Sequence, residues 1–246
     1  MTRNIVMLAA LLAVPALARA DRRYYGETYN ASTAPRGSVD LEAWTTWYQP
    51  PKGEVGALSS WRHQLELETG ITDRWDVAVY GVARQLEGES LEFEAVKLET
   101  RLALAAPGAW FVDPVLYLEL QKTVVEDKPF SVEEKLILAK DVGALNVSLN
   151  VAAEQEFVGG DVNPEWSWAL GSSWELVPAL RLGAEVFGDR VKEAVSPGVE
   201  QTLSQAWAGP AASIAFGRAW LVLAAGFGLN GQSDQVRARA ILSFGL

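Results

Sequence analysis

The chain has 246 residues, no cysteine and a formal charge of −10 at pH 7. Without cysteine there are no disulfides and no thiolate metal sites, and the acidic balance excludes nucleic acid and anionic membrane surfaces as partners. No run beyond the N-terminus approaches 18 apolar residues, so spanning helices are excluded too.

Arg3, the apolar run 5–18 and the sequence Ala18-Arg19-Ala20 read as a cleaved secretory signal peptide, residues 1–20. Its removal takes away Arg3 and Arg19. That leaves 19 basic residues against 31 acidic ones, a charge of −12. An exported chain without spanning helices is either a soluble periplasmic β-protein or an outer-membrane barrel. Residues 21–37 are polar and turn-rich and read as a periplasmic lead-in.

Twelve stretches then alternate with a period of two: 38–48, 60–69, 75–85, 93–104, 111–121, 130–140, 145–157, 165–176, 180–188, 205–217, 220–230 and 235–246. A slip of phase near Phe93 predicts a bulge. Residues 189–204 read as the longest loop, and Pro114 and Pro210 fall near strand starts, where a lost ladder bond costs least. Connections after the even strands read as tight turns, whereas those after the odd strands are mostly longer or more polar. Outer-membrane barrels segregate short periplasmic turns from longer external loops in this way. The fold class is therefore all-β: a closed, antiparallel, up-and-down transmembrane β-barrel of about twelve strands over residues 38–246. Its expected location is the outer membrane of a Gram-negative bacterium. Most of the ten tryptophans fall beside strand ends, as two interfacial belts would place them; only Trp44 and Trp168 sit in strand middles.

One row of each strand is apolar and is expected to face lipid. The other is polar and is expected to face the lumen. The lumen-lining candidates are Asp40, Glu42, Arg62, Glu66, Glu68, Arg84, Lys97, Glu99, Arg101, Glu119, Lys135, Glu154, Glu156, Arg181, Glu185, Arg237 and Arg239. Closure makes the last strand the neighbour of the first, which predicts one lumen sector shared by Arg237, Arg239, Asp40 and Glu42. The tenth and eleventh strands instead turn small residues inward: Gly209, Ala211, Ser213, Ala215, Val222, Ala224, Gly226 and Gly228. Either a solute path runs along them or the loop 189–204 folds in to fill the space. Strands ~4.8 Å apart and tilted ~40° give a backbone radius of about 12 Å, so size alone allows a narrow channel or a plugged one.

Catalytic signals are weak. His63, the single histidine, falls on the apolar face of the second strand. Carboxylates at i, i+2, such as Glu66/Glu68 and Glu154/Glu156, recur on every charged lumen strand and so do not single out a glycosidase pair. The chain has no P-loop, HExxH or GxSxG. No catalytic, cofactor-binding or metal-ligating residue is assigned, and the chain is not read as an enzyme.

Gln235 to Leu246 resembles the C-terminal strand of bacterial outer-membrane barrels, which the assembly machinery recognises. Those strands usually end in Phe or Trp, whereas here Phe244 lies two residues before Leu246. Pro35-Arg36-Gly37, the stretch 66–77 and the stretch 135–140 give nearly the whole mature chain a resemblance to Gram-negative outer-membrane barrels of the transporter or porin kind, including the phenol meta-pathway type. The resemblance implies membrane lipid and the assembly machinery as partners, no cofactor, and passive passage of small solutes. The alternatives are a non-conducting structural or interaction barrel with partner-binding external loops and, more distantly, an outer-membrane hydrolase.

Overall fold

The computed structural model describes residues 22–53, 56–125, 130–157, 164–196 and 199–246, and within these the side chains outside 193–200. The expected signal peptide lies outside the described residues. Twelve strands form a single closed antiparallel barrel in which each pairs with its neighbours in sequence and β1 pairs with β12. They are β1 (Val39–Gln49), β2 (Ser60–Thr72), β3 (Trp75–Leu86), β4 (Glu92–Ala103), β5 (Asp113–Thr123), β6 (Phe130–Val142), β7 (Leu145–Glu156), β8 (Glu165–Val177), β9 (Leu180–Ser196), β10 (Val199–Phe216), β11 (Ala219–Gly228) and β12 (Val236–Gly245). Closure leaves no free sheet edge, so the backbone is satisfied within the wall.

The alternation read from the sequence is the alternation of the wall. Leu65, Leu67, Leu98, Leu116, Leu118, Leu149 and Leu170 all point outward and are exposed. The intervening residues Glu66, Glu99, Tyr117 and Ser148 point inward and are buried. Such an outer surface would be a large exposed apolar patch in water, and it is the expected surface in lipid. Trp75, Trp110, Trp166 and Trp174 stand on this outer face, and Trp47 and Trp61 pair there with ring centroids 6.1 Å apart. Trp207 and Trp220, expected in the belts, instead turn inward with Trp44 and are buried.

Two-residue connections join β2 to β3, β6 to β7, β8 to β9 and β10 to β11 at the rim where β1 begins and β12 ends. The β4–β5 connection, expected to be tight, runs from 104 to 112 because β5 begins at Asp113. The predicted bulge is present: Val82 pairs with Ala95 and Ala83 with Phe93, which leaves Glu94 extra. The described residues 189–196 and 199–204 are not a loop. β9 and β10 continue there as a two-stranded ribbon: Arg190, opposite Ser204, is the last position that also pairs with β8, and Lys192 opposite Thr202 lies beyond the last pairings with β8 and β11. Pro210 therefore lies inside β10. It pairs with Ala184 on one side, and ladder pairs to β11 are missing at Gly209 and Pro210.

The chain before β1 does not stay outside the barrel as the lead-in was expected to. Residues 22–37 run through the lumen, with Tyr25 and Thr28 fully buried. Arg36 bridges to Gly70 at the short-turn rim, where Gly37 donates to the Gly70 carbonyl at 2.8 Å and adopts φ 75°. Gly70 has to be glycine, since a Cβ there would meet the Pro35 carbonyl oxygen at 2.1 Å.

Candidate functional site

The site is the lumen and the segment within it. The segment is U-shaped. Its first limb starts at the short-turn rim, where Arg22 donates to Pro178 O and Ser213 Oγ, both at 2.8 Å. Its apex is 26–28, and its second limb returns to the rim, where Ala34 N donates to Asp76 Oδ2 at 2.8 Å. Asn30 Nδ2 ties the limbs together through Arg22 O at 3.2 Å.

The apex is held by Glu185 of β9. Its carboxylate accepts from Gly26 N (2.8 Å), Glu27 N, Thr28 N (both 2.9 Å) and Thr28 Oγ1 (3.0 Å). A buried carboxylate needs such donors, and a bend of successive amides supplies them. Arg239 of β12 holds the same apex through Gly26 O at 2.9 Å and Glu27 Oε2 at 2.8 Å. Asn150 exchanges two bonds with the Tyr29 backbone, at 2.6 and 3.0 Å. Burial pushes the Tyr25 phenol up, so it stays neutral and donates to Asn146 Oδ1 at 2.8 Å.

The small wall of β10 and β11 is where this segment fits. A Cβ on Gly26 would lie 2.6 Å from Ala224 Cβ, and one on Gly171 would meet the Tyr25 ring at 2.8 Å. Of the space expected to hold either a solute path or the loop 189–204, the part beside Ser213 and Ala224 is occupied by the N-terminal segment and the part beside Gly226 by the side chains of Phe187 and Trp207. Arg23 inserts between Tyr29 and Trp44, its guanidinium centre 3.7 and 4.4 Å from the two ring centroids.

Nearly all the lumen candidates face inward. Asp40, Glu42, Glu66, Glu68, Glu99, Arg101, Glu119, Arg181 and Glu185 are buried. Lys97, Lys135, Glu154, Arg237 and Arg239 are half-buried. Arg62, Arg84 and Glu156 lie towards the long-connection rim. There Arg62 grips Glu94 through two bonds at 2.9 and 3.0 Å, and Arg84 reaches Glu92 at 3.2 Å.

Inside, Arg101 gathers carboxylates. It forks onto Asp76 at 2.8 and 3.0 Å, contacts Glu68 and lies 3.4 Å from Glu99. Lys97 pairs with Glu119 at 2.8 Å, Lys135 with Glu133 at 2.6 Å and Arg181 with Glu175 at 3.3 Å. Tyr80 donates to Glu99, Tyr117 to Glu119 at 2.9 Å and Trp44 Nε1 to Glu42 at 3.0 Å. The expected sharing of a sector by Arg237, Arg239, Asp40 and Glu42 does not occur. The register sets Arg239 opposite Thr46 and Tyr48 opposite Arg237, while Asp40 and Glu42 face Gly245 and Ser243 at the other end of β1.

His63 faces outward and shares a hydrogen bond with Thr45 at 3.0 Å, away from every lumen carboxylate. The residues missed from sequence are Arg22 to Asn30. A signal was present: three tyrosines and two arginines in the stretch Arg22–Tyr29 are unusual for a solvated linker, and the wall ahead carries more acids than bases.

No family model and no curated protein matches this chain. Solved structures do. An outer membrane channel of the COG4313 group from Pseudomonas putida F1 superposes with a TM-score of 0.67 at 14% identity, over 88% of this chain and 98% of that one. The two chains share one fold. The NanC porin (TM-score 0.57, 9% identity, 84% of this chain and 100% of that one) and the KdgM porin (0.56, 8%, 85% and 99%) share it.

Proposed function

We propose that the chain is an outer-membrane channel for small solutes, closed by its own N-terminal segment. The observation that carries this reading is how the lumen is filled. A purely structural barrel of this size would fill its interior with wall side chains. Here the wall beside the first limb turns the small residues Gly171, Ser213 and Ala224 inward, and the peptide that leads into β1 through Gly37 takes up the space. Its contacts with the wall are mostly hydrogen bonds and ion pairs, which water can replace if the segment leaves. The neighbouring folds are named as channels and porins, which agrees with transport. The filled lumen also favours the second reading, a barrel that does not conduct. The outward-facing His63 offers nothing to a hydrolase, so a non-enzymatic role is kept.

Planar-bilayer recording separates the two readings. Refolded mature protein should be closed most of the time, and a variant lacking residues 22–35 should show a stable open state. If that variant is β-rich and heat-modifiable on gels yet conducts nothing, the non-conducting barrel is correct.

A further inference from the structure

Between the apex of the segment and the long-connection rim lies a polar cavity of about 200 Å³, walled by Glu27, Glu133, Lys135, Ser167, Asp189 and Arg237. Most charges around it are already engaged: Glu27 with Arg239 at 2.8 Å and Glu133 with Lys135 at 2.6 Å. Arg237 and Asp189 are the exception. The Arg237 guanidinium centre lies 3.8 Å from the Trp207 ring centroid, and Trp207 stacks on Phe187 at 5.4 Å and 17°. That face of the cation is fixed by the stack. Its nearest carboxylates, Asp189 and Asp234, stand at 3.8 Å, beyond hydrogen-bond reach. Arg237 Nε is buried without a hydrogen-bond partner, and so is Asp189 Oδ1. Both side chains line the cavity and keep part of their surface exposed, so one cavity holds a cation and an anion that each lack a close hydrogen-bonded partner, which is costly to leave unmade.

We infer that this vestibule binds a small zwitterion, a molecule of amino-acid type carrying one carboxylate and one ammonium group. The carboxylate meets Arg237 and the ammonium meets Asp189, on the floor formed by Glu27. A simple anion is a poorer fit because the carboxylates of Asp189 and Asp234 flank Arg237, and a simple cation is poorer because it would meet Asp189 and leave Arg237 without a hydrogen-bonded anion. The inference names the solute class of the channel reading and rests on it, since the vestibule stands at the mouth of the closed path.

The test is calorimetric titration of the refolded mature protein, in detergent, with L-alanine, acetate and methylammonium. L-alanine should bind saturably and more tightly than either half-ligand. Arg237→Gln and Asp189→Asn should each weaken it by about tenfold or more while the barrel stays heat-modifiable. Acetate binding as tightly as L-alanine, unchanged binding in either variant, or no saturable binding of L-alanine would each overturn the assignment. The titration needs no conduction. Binding by a barrel that never conducts keeps the site and removes the channel, and conduction without L-alanine binding does the reverse.

Discussion

Glu185 is one side chain on β9, yet it takes four of the hydrogen bonds that hold the apex of the segment. Bonds to a charged acceptor contribute roughly 1.5–3 kcal/mol each. Glu185→Ala should therefore loosen 26–28 without touching the wall, whose ladder uses only the backbone at this position. The expected result is faster hydrogen exchange at the Gly26, Glu27 and Thr28 amides by at least about tenfold, and more frequent opening in bilayers. Unchanged exchange would mean that the apex is held elsewhere. On the outer face the decisive residues are apolar. Leu149→Arg should cost roughly 2–4 kcal/mol in a refolding titration if Leu149 lies near the bilayer midplane. Glu134 is an exposed carboxylate on that face, opposite Leu118 and Ala153, and Glu134→Leu should stabilise the barrel in the same titration. A destabilised Glu134→Leu protein would show that this carboxylate has a partner in the membrane. The sequence already separated Leu149 from Ser148 by face. It could not show that Ser148 is fully buried beneath the segment rather than facing water, because nothing local reports what fills a lumen.

At the scale of elements, strands were legible wherever one face meets lipid, because lipid enforces the period-two pattern. The bulge at Phe93 was legible for the same reason, as a slip in that pattern. The outer parts of β9 and β10 were not. Beyond Arg190 and Ser204 they pair only with each other, so no apolar row marks them, and their polar composition reads as a loop. This gives a prediction: replacing residues 191–203 by Asn-Gly should close the hairpin between Arg190 and Ser204 and leave the barrel as stable as before. Failure of that variant to refold, judged by heat modifiability, would mean that the ribbon is needed for assembly. The N-terminal segment was missed for a related reason. It forms no ladder, and its hydrogen bonds go to side chains more than a hundred residues away, such as Asn146, Asn150 and Glu185.

The whole molecule is a membrane wall built from alternation, with a peptide stopper made from the stretch ahead of it. Both strand ends that form the seam, the start of β1 and the end of β12, lie at the short-turn rim. If that rim is periplasmic, Lys52→Cys should label from outside intact cells and Arg74→Cys should not. Equal labelling would contradict the orientation. The stopper itself is the central claim, and the absence of native cysteine allows a direct measurement. Gly26 faces Ala224 so closely that Gly26→Cys with Ala224→Cys should form a disulfide after a shift of about 1 Å. Single-channel recording of this double variant, oxidised and then reduced on the same membrane, is the decisive experiment. The oxidised barrel should stay closed, and reduction should restore the openings of the wild type. Openings of wild-type size and frequency with the disulfide in place would contradict the account.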